Sequence, residues 1–346
     1  MELLDLNQFS LVSKKTKSLA DMKSVQFPLL SMPRNALNDV IQNLSLLSLF
    51  KFSAISKTTK SFSKVIDWKP MPIDVMVKDV LAIYADCKHF FYEIAKDENP
   101  IKRSEDEKPR FNPEPEVKDA LAYTFHLTKQ KTIRSLVFRE GLDEAVLPIA
   151  FYDFPVCENI TIDPNVPDCA QRKILAKYKD SMKQLRLYSN PPAELKKAIV
   201  AQNFDCLRDQ HLDKSWMNLD DLLIANSAAL SVYRMDLKIL NKFLKVWIRK
   251  KCNPRLEYLW TDRLDADFDM KMVLAGINYK EVPEDTIRTF KHSGKVIKGK
   301  DWLTTTDTME VQGGYDFKRR DGALATITVR EKSGKRKLEF TVWPYV

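Results

Sequence analysis

The chain has 346 residues, 44% of them hydrophobic and 30% charged, and a formal net charge of +9. That size and apolar share exclude a wholly disordered protein and suggest one large domain with a small one, or two of medium size. No apolar stretch approaches the ~18 residues of a membrane-spanning helix. Met1–Gln8 also lacks the basic start and apolar core of a secretory signal, so the expected location is the cytoplasm, the nucleus or both. The five cysteines, Cys87, Cys157, Cys169, Cys206 and Cys252, are odd in number and scattered, with no CxxC pair. Neither a disulfide framework nor a zinc site is expected from them.

The N-terminal region contains a broken repeat. Shifting the chain by 43 residues lays Met1–Ser18 on Leu44–Ser61 with ten of 18 positions identical, among them Leu3/Leu46, Phe9/Phe52, Ser13/Ser56 and Lys17/Lys60. The reading is a partial copy over 1–23 ahead of a complete unit over 27–66. In the complete unit Pro33 suits a first helical turn. Behind it Leu37, Val40, Ile41 and Leu44 recur at the spacing of one helix face. Ser45 is a candidate N-cap for a second helix carrying Leu46, Leu47, Leu49, Phe50, Phe52 and Ile55. Those apolar positions run nearly all the way round, so the helix must be covered on more than one side. Ser56 is a candidate cap for a third, Lys- and Thr-rich helix ending near Ile66. Forty residues without disulfides or metal supply little core of their own. The apolar surplus therefore calls for cover, either from a partner or from the rest of the chain.

These residues carry a resemblance. Phe27-Pro-Leu-Leu-Ser-Met-Pro33, Ala36-Leu37, Val40-Ile41, Leu44, Leu47, Leu49-Phe50, Phe52-Ser53 and Ser56-Lys57 resemble the F-box. More narrowly, the chain is similar to nematode F-box proteins with a C-terminal F-box-associated domain of type 2. The resemblance implies binding to the Skp-type adaptor of a Skp–cullin–F-box ubiquitin ligase, and through it to a cullin. It implies an adaptor surface at Met32, Pro33, Leu37, Val40, Ile41, Leu44, Leu47 and Phe50. Met32 stands where leucine is usual, a swap that conserves volume.

Residues 67–115 are expected to connect the two parts, with a charged, Pro-rich linker over Lys96–Pro115. From 116 to 346 the pattern is a larger domain. Strand-like runs near Leu136, Ile160, Leu185, Phe204, Leu230, Leu256 and Ile277 are spaced 19 to 26 residues apart. Helix-like stretches separate them, the clearest being Leu237–Lys250. Such alternation favours a parallel sheet with crossover helices, and the spacing suits a degenerate leucine-rich-like β/α repeat. The fold expected overall is α+β or α/β: a small helical unit, then a β/α domain ending in antiparallel hairpins. The hairpins are read from period-two alternation over Tyr315–Arg320, Ala323–Arg330 and Arg336–Trp343, with Asp321-Gly322 and Ser333-Gly334 at the joints. Ala325, Ile327 and Val329 are expected on one face, and Leu338, Phe340 and Val342 on one face of the next strand.

Lys291–Lys337 holds 12 basic and 6 acidic residues. Its candidate basic patch is Lys318, Arg319, Arg320, Arg330, Lys335, Arg336 and Lys337. Phe317, Phe340 and Trp343 alternate with it in a manner that suits base stacking. The alternative reading is therefore a protein that binds nucleic acid or an acidic partner through these hairpins, although nucleic acid is the less expected partner. Leu219-Asp-Asp-Leu222, Phe243-Leu-Lys-Val-Trp-Ile248, Pro254-Arg-Leu-Glu-Tyr-Leu259 and Asp316-Phe-Lys-Arg-Arg-Asp-Gly-Ala323 resemble the F-box-associated domain, which implies recruitment of a target protein by this region.

Enzymatic signatures are missing from the sequence. Only eight glycines occur, and no GxGxxG, GxxxxGK[ST] or GxSxG. His89, His126, His211 and His292 are isolated. Asp220 and Asp221 face different ways on a helix and suit its first turn. Asp262, Asp265, Asp267 and Asp269 lack the spacing of a calcium loop. The expectation is a non-enzymatic protein with no cofactor and no metal.

Overall fold

A computed structural model describes residues 33–42, 72–78, 80–85, 90–95, 124–125, 130–142, 156–211, 215–250, 252–261, 264, 268–297, 305–332 and 335–344. The chain divides into two compact units, Met1–Asp67 and Trp68–Val346. In the first, the described element is helix α1, Arg34–Gln42. The expected partial copy over 1–23, the second and third helices and the Lys96–Pro115 linker lie outside the described residues.

Among the described residues the second unit is a mixed α/β structure built on one 13-stranded sheet. Its first three strands are β1 (Ile73–Val77), β2 (Val80–Ala85) and β3 (Phe90–Ala95), an antiparallel meander at one edge. The stretch 67–115, expected as a connection, thus supplies three strands of the sheet itself. Next to β1 runs β4 (Ile133–Phe138), parallel to it, followed by β5 (Cys157–Ile162), β6 (Gln184–Leu187), β7 (Cys206–Asp209), β8 (Ala229–Ser231) and β9 (Tyr258–Thr261), all parallel. Helices α2 (Asp168–Tyr178), α3 (Ala193–Ala201), α4 (Leu219–Ile224) and α5 (Leu237–Ile248) make the crossovers from β5 to β9. A short α6, Met270–Leu274, follows β9. The strands anticipated near Leu136, Ile160, Leu185, Phe204, Leu230 and Leu256 correspond to β4 through β9. The seventh does not. Ile277 lies in the turn after α6, and the next strand, β10 (Lys280–Ile297), is antiparallel to its neighbour.

Register explains why the parallel strands read as short apolar runs. Leu136, Ile160, Leu185, Leu207, Leu230 and Leu259 are cross-strand partners in one continuous row, and all are enclosed. Parallel strands covered on both faces lose the polar–apolar alternation of an exposed sheet. Helices α2 and α3 start behind Pro167 and Pro192 without a side-chain cap, whereas α4, α5 and α6 are closed by side chains. Asn218 accepts from the Asp221 N–H while Asp221 accepts from the Asn218 N–H at 2.9 Å, a complete capping box that gives the first-turn role expected of Asp221. Asp236 accepts from Lys238 and Ile239 at the start of α5, and Asp269 from Lys271 at the start of α6. At the other ends, Asn253 donates to the Leu222 and Ala225 carbonyls at 2.8 Å, and Asn241 donates to Val273 and Ala275. These buried amides satisfy carbonyls that a helix end leaves unpaired.

The chain ends in an antiparallel meander of β10, β11 (Thr305–Lys318), β12 (Leu324–Lys332) and β13 (Lys335–Val342). The last strand returns to pair antiparallel with β9, Phe340 opposite Leu259 and Glu339 opposite Trp260. The anticipated hairpins are therefore present. Leu338, Phe340 and Val342 are enclosed as expected, and so are Ala325 and Ile327. Val329 is not: it is 37% exposed, lying beyond Ile327, where the pairing of β12 with β11 ends.

Helix α5 fastens this meander from one side. Trp247 is fully enclosed and meets Phe340 and Phe317 edge-on, at centroid distances of 5.1 and 6.1 Å. From the other side the hairpin β10–β11 bends. Its register jumps from Val282/Gly314 to Ile287/Gln312, so four residues of β10 oppose Gly313 alone. Gly314 takes φ +108°, and a Cβ there would stand 2.5 Å from the Ile327 carbonyl oxygen. The bend goes with a core in which Phe290, Met309 and Val311 pack with Cys206, Ala229, Tyr258 and Trp260 of β7–β9.

Two outcomes follow. Trp247→Ala is expected to lower unfolding free energy by about 3–5 kcal/mol, measured by chemical denaturation. Gly314→Ala is expected to cost about 1–3 kcal/mol from backbone conformation alone, read as a fall in melting temperature.

Candidate functional site

Helix α1 begins where proline allows. Pro33 is exposed, has no N–H to satisfy, and its carbonyl accepts from the Leu37 N–H at 2.9 Å. Leu37 and Ile41, four residues apart, are each 1% exposed. Val40 is half-buried, and Asn35 and Asp39 face solvent. Of the residues expected at an adaptor surface, Leu37 and Ile41 thus form the enclosed side of the helix, while Pro33 and the flank at Val40 remain open. Met32, Leu44, Leu47 and Phe50 lie outside the described residues.

In the second unit the C-terminal end of β7 carries an enclosed carboxylate. Asp209 accepts from the Ser215 hydroxyl at 2.5 Å and from the backbone N–H groups of His211 and Trp216 at 3.1 and 3.2 Å. Burial pushes this carboxyl up to about 6, against the opposing pull of those hydrogen bonds. The contacts gather a loop, with His211 and Trp216 both donating to the carboxylate through their backbone N–H groups. They set Trp216 ahead of α4. There Lys196 donates to the Trp216 carbonyl at 2.7 Å and pairs with Asp221 at 2.6 Å.

The basic cluster of the hairpins does not form an open patch. Arg319 is buried, its guanidinium 4.9 Å from the Trp247 ring centroid and 3.0 Å from Asp321. Arg330 and Lys337 converge on buried Glu339 at 3.2 and 3.3 Å, and Glu339 also accepts from the Tyr258 hydroxyl at 2.7 Å. Lys337 lies 5.3 Å from the Trp260 ring centroid, and Arg336 lies over Phe268. Lys318 and Arg320 are exposed, and the Lys335 side chain is outside the described set. The aromatics are equally committed. Phe317 and Phe340 are core residues, and half-buried Trp343 donates to Thr326 beneath the Arg288 guanidinium. Base stacking on Phe317 and Phe340 is therefore excluded. These cations meet their partners by strand register, Arg330 next to Lys337 and Glu339 next to Trp260, which composition does not reveal.

A different group of cations comes together that sequence reading did not connect. Where α5 ends, the α6–β10 turn and the end of β11 enclose an open cleft of about 910 Å³. Lys245, Arg249, Lys280 and Lys318 line it, above Ile248 and Phe317. They come from three elements separated by up to 73 residues in the chain, so no linear motif marks them. His211 and His292 stand apart, the latter enclosed against Tyr258 and Phe290. Among the described residues no cluster of His, Cys, Asp and Glu is arranged to hold a metal ion.

Family comparison matches two stretches of the chain. Residues 29–69 match the F-box domain, and residues 197–261 match the F-box associated family. The chain carries an F-box domain in its first unit and an F-box associated domain inside its second, and both families are interaction modules. The second match runs from the middle of α3 to the end of β9, spanning Asp209, α4 and α5. No curated protein and no solved structure matches the chain. Among the described residues no helix is long and apolar enough to cross a membrane.

Asp209 makes the matched stretch sensitive to pH. The unfolded chain releases this proton near 3.8, whereas the folded chain holds it to about 6. The folded state therefore binds more protons in that window, and stability falls as pH rises through it. At about 1.36 kcal/mol per pH unit the contribution is on the order of 3 kcal/mol. Asp209→Asn is expected to remove this part of the slope, seen by comparing melting temperatures of the two proteins between about pH 4 and about pH 7.

Proposed function

We propose that this chain, carrying an F-box and an F-box associated domain, is a substrate-receptor subunit of a Skp–cullin–F-box ubiquitin ligase. The observation that carries the reading is the presence of both domains in one chain, on two separate compact units. In this reading the F-box docks on a Skp-type adaptor and through it on a cullin. The second unit, a β/α succession that we read as a degenerate repeat, holds a target protein. Ubiquitin transfer is carried out by another subunit, and this protein contributes proximity. Tethering converts a bimolecular encounter into one at high effective concentration. The role belongs to the cytoplasm, the nucleus or both.

The adaptor surface we propose follows the enclosure of Leu37 and Ile41. Those two hold α1 in shape. Pro33 and Val40 meet the adaptor, with Met32, Leu44, Leu47 and Phe50 as the remaining positions. Burying apolar side chains of this size contributes about 1.5–3 kcal/mol each before ordering costs. Introducing a charge at Val40 opposes that burial while leaving the enclosed side of the helix intact.

The test is co-purification of the full chain with a Skp-type adaptor, followed by titration. The double variant Pro33→Ala, Val40→Asp is expected to weaken adaptor binding about tenfold or more, with an unchanged helical signal by circular dichroism. Equal affinity of variant and parent would overturn the reading.

A further inference from the structure

The cleft at the end of α5 has a charge arrangement that fits a definite class of partner. Four cations line it: Lys245 in the last turn of α5, Arg249 directly after that helix, Lys280 at the start of β10 and Lys318 at the end of β11. None of the four forms an ion pair among the described residues. The single lining carboxylate, Asp316, is already neutralised: Arg288 grips both its oxygens at 2.9 and 3.0 Å, and Thr326 donates to it as well. Gathering like charges around one concavity is unfavourable unless an anion joins them, and low-dielectric walls focus their field into the opening.

The walls also have apolar features. Ile248 and Leu324 are half-buried and Phe317 is enclosed beneath them. Tyr279 is 46% exposed, with its ring held edge-on against Tyr315 at 5.3 Å. A ring fixed in advance loses little freedom when a partner covers it. Gly276, at φ +70°, keeps the turn low enough for Lys245 to lie across it, since a Cβ there would stand 3.3 Å from the ammonium nitrogen.

Three of the four cations are lysines. Lysine is a compact point charge on a flexible stem, whereas a planar guanidinium fork is what matches one phosphate bidentately. Lysines arranged around an apolar floor fit several carboxylates spread along a chain. We propose that this cleft binds an extended acidic peptide segment, rich in Asp and Glu and carrying an apolar or aromatic residue that covers Tyr279 and the Ile248–Phe317 floor. The proposal rests on the reading that the second unit recruits a target protein, and it supplies the chemistry of the recognised segment.

The test uses the full chain and a fluorescent peptide of about ten residues, Asp and Glu flanking one Phe, read by anisotropy. Binding is expected to weaken as salt rises from about 50 to about 300 mM. Lys280→Glu with Lys318→Glu is expected to reduce affinity about tenfold or more. Lys173→Glu with Lys177→Glu, exposed on α2, makes the same change in net charge away from the cleft and is expected to leave affinity near that of the parent. Equal losses in both double variants, or no binding by the parent, would overturn the proposal. Tighter binding of a phosphoserine peptide or a single-stranded RNA of equal charge would also overturn it. Adaptor co-purification is measured on the same variants. Intact adaptor binding without peptide binding sinks the cleft alone, whereas peptide binding without adaptor binding sinks the receptor reading alone.

Discussion

The second unit depends on the seam where β13 pairs with β9. Up to β9 the sheet is a run of parallel strands, and such a run ends in an edge with unpaired backbone groups. The last strand of the chain closes that edge, with Leu338, Glu339, Phe340 and Thr341 opposite Thr261, Trp260, Leu259 and Tyr258. The closure joins residues about 80 positions apart, so it is gained only after the long loop between them is ordered. What holds it is Phe340 on one face, packed against Trp247 of α5, and Glu339 on the other, beneath Arg330, Lys337 and the Tyr258 hydroxyl. A buried carboxylate is costly unless its lone pairs are occupied. Here Arg330 and Lys337 pair with it and the Tyr258 hydroxyl donates to it, which engages two of the segment's cations.

The bend in β10–β11 has the second-largest consequence. A straight hairpin would leave the helix-free face of β7–β9 open at Cys206, Ala229, Tyr258 and Trp260. Instead Phe290, Met309 and Val311 join those residues in one core. The same strand pair starts the cleft, because Lys280 and Lys318 lie at its near end, before the bend. One hairpin therefore covers an apolar face with its far half and presents charge with its near half.

The functional conclusion joins these two units by role. In the proposed function the F-box domain supplies attachment, and the F-box associated domain lies within a sheet whose helices α4 and α6 are closed by the enclosed side chains of Asn241, Asn253 and Asp221. Rigid support of that kind keeps a recognition surface in shape without a partner and lowers the ordering cost of binding. The open cleft and its four cations are the part of that support left facing solvent.

Much of this was legible in the linear pattern. The proline start of α1, its four-residue apolar spacing, the strand positions near Leu136, Ile160, Leu185 and Leu230, the amphipathic α5 and the terminal hairpins all express local periodicity, which successive residues carry by themselves. So does the likeness of two stretches to the F-box and the F-box associated domain. Three strands hidden in 67–115, the antiparallel turn of the sheet after Ile277, the burial of Arg319 and the assembly of Lys245, Arg249, Lys280 and Lys318 were not legible. Each depends on which distant strand or helix lies alongside. Local pattern determines which face of an element is apolar; only the packing of elements decides which charges meet an opposite charge and which are left for a partner.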